Sequence, residues 1–592
     1  MTYNLRVPYT GSSLQLIVSI DIGTTFTAAS YCMLQPGVVP KFEELQRWHM
    51  QATSDAKVPS VIYYDRIGKP CAFAAETQDD EMRHRAEIED WCEASWWKLH
   101  LRPDHLPMIS NLDLPPLPPR KTVEDVFVDY LGYVKQEIKK FIEDSYGDGH
   151  AIWKTLYPHM AVILTTPNGW EGRQQTRMRE AAVRAELVDA SGKQRIKFVT
   201  EAEAAVLYAA DSGSINNWLV EGERIILCDC GGGTLDITGY RIEGLNPLRL
   251  AESAPSQCYL AGAVFVNRAA EVYMRDVLAG SHWDVPEILT AAVRHFEANA
   301  KKKFDDASLS SLVFLGGYKN DESLGISRGR LRIPGAAIAS FFEPSIRSIK
   351  DGLEEVVFGN GGNQAKRVIL VGGLASSPWV HSQLVLWGKQ RGIAVSRPDG
   401  PTIKAVANGA LAWYIDQTVS TRYSRWHYGI NIRTPYQPHS LAHRAYVPWY
   451  GLNGIKYIGD GWGSIVYKNN RIRAGRAFMQ PFSVEMAESR SNWTHSVDIY
   501  VYRGAPPPPD LLTDPSRGFD IRPGFDVICT ISGNLKKCYL ASEVKVSPLT
   551  GENYRNVAFD ICILLGEPEI TARLHWLENG RDVYGPAIVT YD

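Results

Sequence analysis

No apolar run in this chain approaches the ~20 residues that a membrane-spanning helix needs, so no segment is expected to cross or bind a bilayer. The opening stretch, Met1 to Leu14, has no basic flank leading into an apolar core, and without such a leader a cytoplasmic location is expected. Charge of one sign is missing too. The 63 basic and 66 acidic residues leave a net charge of -3, with no long like-charge run beyond Lys301-Lys302-Lys303, which argues against nucleic acid as a partner. The nine cysteines include no CxxC pair, so neither a zinc ribbon nor a disulfide framework is expected. Cys228 and Cys230 flank Asp229 in a strand-like run and read as small core residues on one face. His439 and His443 are four apart, but they lie beside Pro435 and Pro438 with no carboxylate or thiolate near, and read as a surface loop.

Two glycine turns, each led by an aspartate, stand out against this background: Ile20-Asp21-Ile22-Gly23-Thr24-Thr25-Phe26 and Cys228-Asp229-Cys230-Gly231-Gly232-Gly233-Thr234-Leu235-Asp236. Each follows an apolar run and leads into another, the pattern of strand, tight turn, strand. Glycine lets the main chain approach an anion, and exposed N–H groups with threonine hydroxyls form a donor set for phosphate oxygens. An aspartate closing each first strand would repel phosphate directly. It is placed to hold a hydrated Mg2+ ion instead, the alternative being a buried, hydrogen-bonded structural role. One such turn is an ordinary hairpin signal, whereas two in equivalent contexts point to a duplicated domain pair facing one nucleotide.

At 592 residues the chain exceeds a single core, and ~150 residues per domain gives about four units. Helical spacing marks Thr122 to Tyr146, with Thr122 and Asp125 as a cap pair, then Glu171 to Leu187, a helix opening at Glu201, Val285 to Phe304, and Ile338 to Val356. Strand-like runs precede several of these, so the class is α/β. The Pro-rich stretch from Leu112 to Arg120 reads as a connector, and Val371-Gly372-Gly373 as a strand running into a turn. Those two glycines allow a ring or ribose to lie on the backbone; a plain strand-to-helix turn is the alternative. From Tyr423 short alternating runs such as Ser496 to Tyr502 dominate, the pattern of a β-sandwich.

Taken together, the two aspartate-led turns, Val371-Gly372-Gly373 with Pro378, Glu201-Ala202-Glu203-Ala204-Ala205 and Ala407-Asn408-Gly409-Ala410 resemble, in consistent order over about residues 14 to 417, the heat shock protein 70 family of DnaK-type chaperones. The resemblance implies a pair of actin-like, RNase H-like ATPase lobes, residues 14–210 and 211–422, followed by a β-rich domain, 423–592. It implies ATP or ADP with Mg2+ as cofactors. Asp21 and Asp229 would hold the metal through water, Gly23, Thr24, Thr25, Phe26, Gly231, Gly232, Gly233 and Thr234 the phosphates, and Glu297, Lys301, Gly372, Gly373 and Ser376 the adenosine. Lys98 would stand near the γ-phosphate, with Glu201 and Asp236 orienting water or metal.

Departures from the family pattern bear on function. Ser376 occupies the place of an adenine-stacking arginine, Leu260-Ala261-Gly262-Ala263-Val264 lacks the family's two acids, Ala202 replaces a proline, and the spacing around Glu297 and Lys301 differs by one residue. These features are similar to a divergent branch that keeps the ATPase half. No helical lid is expected, since the chain ends in Ile588 to Asp592, which reads as a strand. The leading expectation is an ATP-binding, slowly hydrolysing chaperone-like switch acting on a client protein. The alternatives are a scaffold recruited to a metabolic, biosynthetic pathway with a small-molecule substrate, and a degenerate scaffold without turnover.

Overall fold

A computed structural model describes residues 6–106, 114–170, 172–213, 215, 218–245, 248–358, 364–398, 405–473, 477–564, 571–578 and 581–585. The expected strand at Ile588 to Asp592 and the start of the Pro-rich connector at Leu112 lie outside these residues. By contact the chain divides into two compact units, Met1–Trp170 with Arg177–Val419, and Ser420–Asp592 with Glu171–Thr176. No described helix is long and apolar enough to cross a membrane.

The first unit contains two sheets of one plan. In the first, Gln15–Ile22 pairs antiparallel with Phe26–Leu34, whose outer neighbour is Phe42–Glu44. On the other side Gln15–Ile22 runs parallel to Ala161–Thr166, which runs parallel to Ile196–Thr200. The second sheet repeats this with Arg224–Cys230, Leu235–Leu245 and Leu248–Glu252 antiparallel in succession, and Arg367–Val371 and Ala394–Ser396 parallel beyond the first strand. Both thus have strand order 3-2-1-4-5. The central strands are buried along nearly their whole length, as their continuous apolar runs require of a sheet covered on both faces.

Helices follow their sequence signals with one exception. Val123–Ser145 starts at a capping box in which Thr122 and Asp125 satisfy each other's backbone N–H, and it buries Val126, Phe127, Tyr130, Val134 and Ile138 on one stripe. The Val285 to Phe304 helix is broken into Pro286–His295, a π-turn at Phe296–Ala300 and Lys301–Lys303, with the Lys301 N–H donating to the Phe296 carbonyl five residues back. Glu201–Asp211 packs against Ala405–Asp416 at Gly409, where a Cβ would overlap the Ala204 carbonyl. Cys228 and Cys230 are core residues with sulfurs 3.6 Å apart.

In the second unit, two five-stranded antiparallel sheets share one core. One comprises Trp449–Tyr450, Lys456–Val466, His427–Pro435, Thr494–Tyr502 and Phe525–Asn534; the other is built on Ala477–Ala487, Asn553–Leu564, Thr571–Glu578 and Arg581–Tyr584, with Val544–Val546 beside Asn553–Leu564. Tyr428, Ile499 and Ile531 of the first meet Val557, Ile561 and Leu574 of the second in a single apolar cluster. The His439 to His443 stretch is not simply a loop. Leu441–Arg444 forms a helical turn capped by Ser440, and buried His443 accepts from the Gln437 N–H, which occupies its Nδ1 in a structural bond.

Candidate functional site

The two aspartate-led turns close as hairpins: the Gly23 N–H donates to the Phe26 carbonyl and the Gly231 N–H to the Thr234 carbonyl, both at 2.9 Å. No backbone carbonyl among the described residues accepts from the N–H groups of Thr24, Thr25, Gly232 or Gly233. The turns also touch. Thr25 lies over Gly232 and Thr24 over Gly233, so closely that a Cβ on either glycine would collide. Behind the second turn, N–H groups of Gly262, Ala263 and Val264 hold the carbonyls of Gly233, Gly231 and Gly232, which fixes that loop by its oxygens.

Between the turns opens a cleft of about 420 Å³, within the size range of ligand pockets. Asp21, Gly23, Thr24, Thr25, Phe26, Glu201, Asp229, Gly231, Gly232, Gly233, Thr234, Glu297, Lys301, Gly372, Gly373 and Ser376 all line it. Lys98 and Asp236 do not. Both stand behind the wall: Lys98 donates to Glu201 at 2.6 Å, and Asp236 accepts from the Asn168 N–H at 2.7 Å. Gly372 is in the left-handed region at φ 89°, and a Cβ there would meet the Asp229 carboxylate, so the strand end can bend around this aspartate only with glycine.

Negative charge is concentrated here. Asp229 and Asp236 are direct cross-strand partners, with side chains on one face of the hairpin. Burial, then Glu201 and Asp236, raises Asp229 well above the usual carboxylate range. Burial also raises Asp236, against the Asn168 N–H, and pushes Glu201 up to about 7, where Lys98 opposes and Asp21 and Asp236 reinforce the shift. Asp21 is steadied by the Thr165 hydroxyl at 2.8 Å. Thr165 and Asn168 were not singled out as site residues in the sequence, because partners 68 or more residues away bring them in.

At the far end, the Lys301 ammonium donates to the Ala263 carbonyl at 2.8 Å and to Asn267 Oδ1 at 2.7 Å, and burial lowers it to about 8. The Ser376 hydroxyl turns back onto the Gly373 carbonyl at 2.6 Å. An arginine stands nearby from another element, since Arg397 donates to the Ser376 carbonyl at 3.0 Å. Lys57 also lines the cleft, its ammonium 3.8 Å from Asp21, and was missed in the sequence because it sits at the edge of a short strand.

No family model matches the chain. Individual proteins do. It is 23% identical over 504 residues to heat shock 70 kDa protein 12A of Mus musculus, covering 71% of this chain and 72% of that protein. Heat shock 70 kDa protein 12B of Homo sapiens matches at 21% over 277 residues, 42% of this chain and 40% of that one. Chaperone protein DnaK of Nitrosopumilus maritimus matches at 22% over 377 residues, 62% and 51% of the two chains. The chain is a divergent relative of the heat shock protein 70 family.

Proposed function

We propose that the chain is a heat shock protein 70-like nucleotide switch that binds ATP in the cleft between its two hairpins and hydrolyses it slowly. The observation that carries this is the meeting of Thr24 and Thr25 with Gly232 and Gly233, which brings two sets of N–H groups, without a backbone acceptor among the described residues, to one cleft flanked by Asp21 and Asp229. On this proposal the repeated 3-2-1-4-5 sheets are actin-like lobes, residues 14–210 and 211–422, and residues 423–592 are a β-sandwich-like domain. A cytoplasmic location goes with it.

The residues fit a divalent cation. Asp21, Glu201 and Asp229 line the cleft, and burial already disfavours the ionised forms of Asp229 and Glu201. No three His, Cys, Asp or Glu side chains among the described residues converge as a direct ligand set, so Asp21 and Asp229 would hold Mg2+ through water. Bound Mg2+ would neutralise charge on the phosphates. The turn N–H groups orient the phosphate chain, and Glu201, poised near pH 7, accepts the proton of an attacking water. Lys98 holds Glu201 in place.

Binding without turnover is a second possibility, favoured by the position of Lys98 behind the cleft wall and against Glu201. Calorimetric titration with ATP and Mg2+, followed by single-turnover hydrolysis, separates the two. Asp229→Ala is expected to abolish turnover and to weaken ATP more than adenosine. Unchanged hydrolysis by that variant would refute the proposal.

A further inference from the structure

Three lysines line the cleft, Lys57, Lys301 and Lys302, with Lys98 behind it. Lys98 is engaged by Glu201, and Lys301 by Ala263 and Asn267. Lys302 is exposed at the end of its helical segment. Lys57 is different. Its side chain is 23% exposed, and its ammonium stands 3.8 Å from Asp21 Oδ2, beyond hydrogen-bond reach. Among the described residues no other group accepts from it, so a half-buried ammonium in the cleft keeps its donors unfilled.

The sheet fixes this position. Asp21 pairs with Ala28, and Ala28 pairs with Lys57, so the three residues form one row across three strands. Residues in one row point to the same face of a pleated sheet, and Ala28 offers only a methyl between the other two. The lysine stem therefore reaches over it toward the carboxylate. In the second hairpin the equivalent row reads Asp229, Asp236 and Cys258, so Asp236 stands where the first sheet has Ala28 and Cys258 where it has Lys57. The first sheet thus has a lysine in the row of its turn aspartate where the second has a thiol. The Lys57 charge also favours the ionised form of Asp229.

We propose that Lys57 is a resident cation for the terminal phosphate: its ammonium donates to phosphate oxygens, and its charge takes over part of the neutralisation that a divalent ion provides. The assignment rests on the nucleotide proposal above.

The test is calorimetric titration of the full chain with ATP, ADP and adenosine, each in Mg2+ and in EDTA, for the parent, Lys57→Met and Lys57→Arg. The parent is expected to retain ATP and ADP binding in EDTA. Lys57→Met is expected to weaken both there by roughly 10- to 100-fold, the worth of a charge-assisted contact. The loss should be smaller in Mg2+, with adenosine unchanged and Lys57→Arg close to the parent. Equal binding of ATP in EDTA by Lys57→Met and the parent overturns the assignment, as does a parent that binds ATP in Mg2+ and not at all in EDTA; both leave the nucleotide proposal standing. A parent that binds no nucleotide in either buffer overturns the nucleotide proposal and the role of Lys57 with it. If Lys57→Met loses adenosine as well, the cleft itself has changed and Lys57→Arg decides: recovery of ATP binding in EDTA supports the role, and its failure rejects it.

Discussion

Glu201 opens a helix whose first turn faces the cleft, and it is held between Lys98 and two aspartates. Its proton is kept up to about pH 7 in the folded chain, whereas an unfolded glutamate releases it near 4.5. Between those values the folded state binds more protons, so the Glu201 contribution to stability falls as pH rises through that window. Glu201→Gln should flatten this part of the curve, because a neutral amide still accepts from Lys98 while Asp236 remains to balance its charge. Melting temperature against pH in EDTA checks this; parallel curves for parent and variant would rule it out. Asp21 and Asp229 could be found in the sequence because a glycine hairpin is a local signal, written in neighbouring residues. Lys57 could not. Its approach to Asp21 depends on a strand register that joins residues 36 apart in the chain, 21 to 57, and no local pattern records that.

Among the elements, the crossing of Glu201–Asp211 with Ala405–Asp416 sets the position of Glu201. Gly409 allows that crossing by close approach to the Ala204 carbonyl, and Ser19 donates to the Ala407 carbonyl at 2.7 Å, tying the same helix to the first strand. Gly409→Ala should destabilise the chain by about 3 kcal/mol, the upper end of the usual cost of overpacking. Urea unfolding checks it, and a loss under about 0.5 kcal/mol would mean that the helices separate freely. Most helix starts were legible from capping residues, as at Thr122 and at Thr200, which accepts from the Glu203 N–H. The π-turn at Phe296–Ala300 left a single trace, the one-residue difference in spacing around Glu297 and Lys301. A wider turn leaves apolar spacing almost unchanged over five residues, so that difference alone does not distinguish it from an ordinary helix.

At the scale of the whole molecule, the two units carry different sensitivities. ATP at 100 times its dissociation constant should stabilise the first by about 2.7 kcal/mol through mass action. The second contains buried His575, which is bonded to Asp560 at 2.8 Å and to Asp582 at 2.9 Å on adjacent strands. Burial opposes its charge, but the two carboxylates raise its pKa overall. A raised histidine contributes fully below its unfolded value near 6.5 and loses that contribution as pH rises through the folded value. Scanning calorimetry should therefore show one transition that moves with ATP and another that weakens as pH rises above 6.5, the latter flattened by His575→Gln. A single transition that responds to neither would contradict both expectations. The β character of the tail was legible in alternating runs such as Ser496 to Tyr502, which lie within the strand Thr494–Tyr502. Which strand pairs with which was not, since partners such as Ala477–Ala487 and Asn553–Leu564 are far apart in the chain.

The π-turn also bears on descent. An extra residue in an ordinary α-helix rotates everything beyond it by about 100°, which would carry either Glu297 or Lys301 off the cleft wall. A turn closed from Lys301 back to Phe296 absorbs one residue within its own loop, so the lysine run and the segment before it keep their facing. Insertion or deletion of a single codon within 296–300 is thus a change this helix can tolerate. An alignment to relatives that lack the turn should place its gap there, with positions on one side offset by one and those on the other in step.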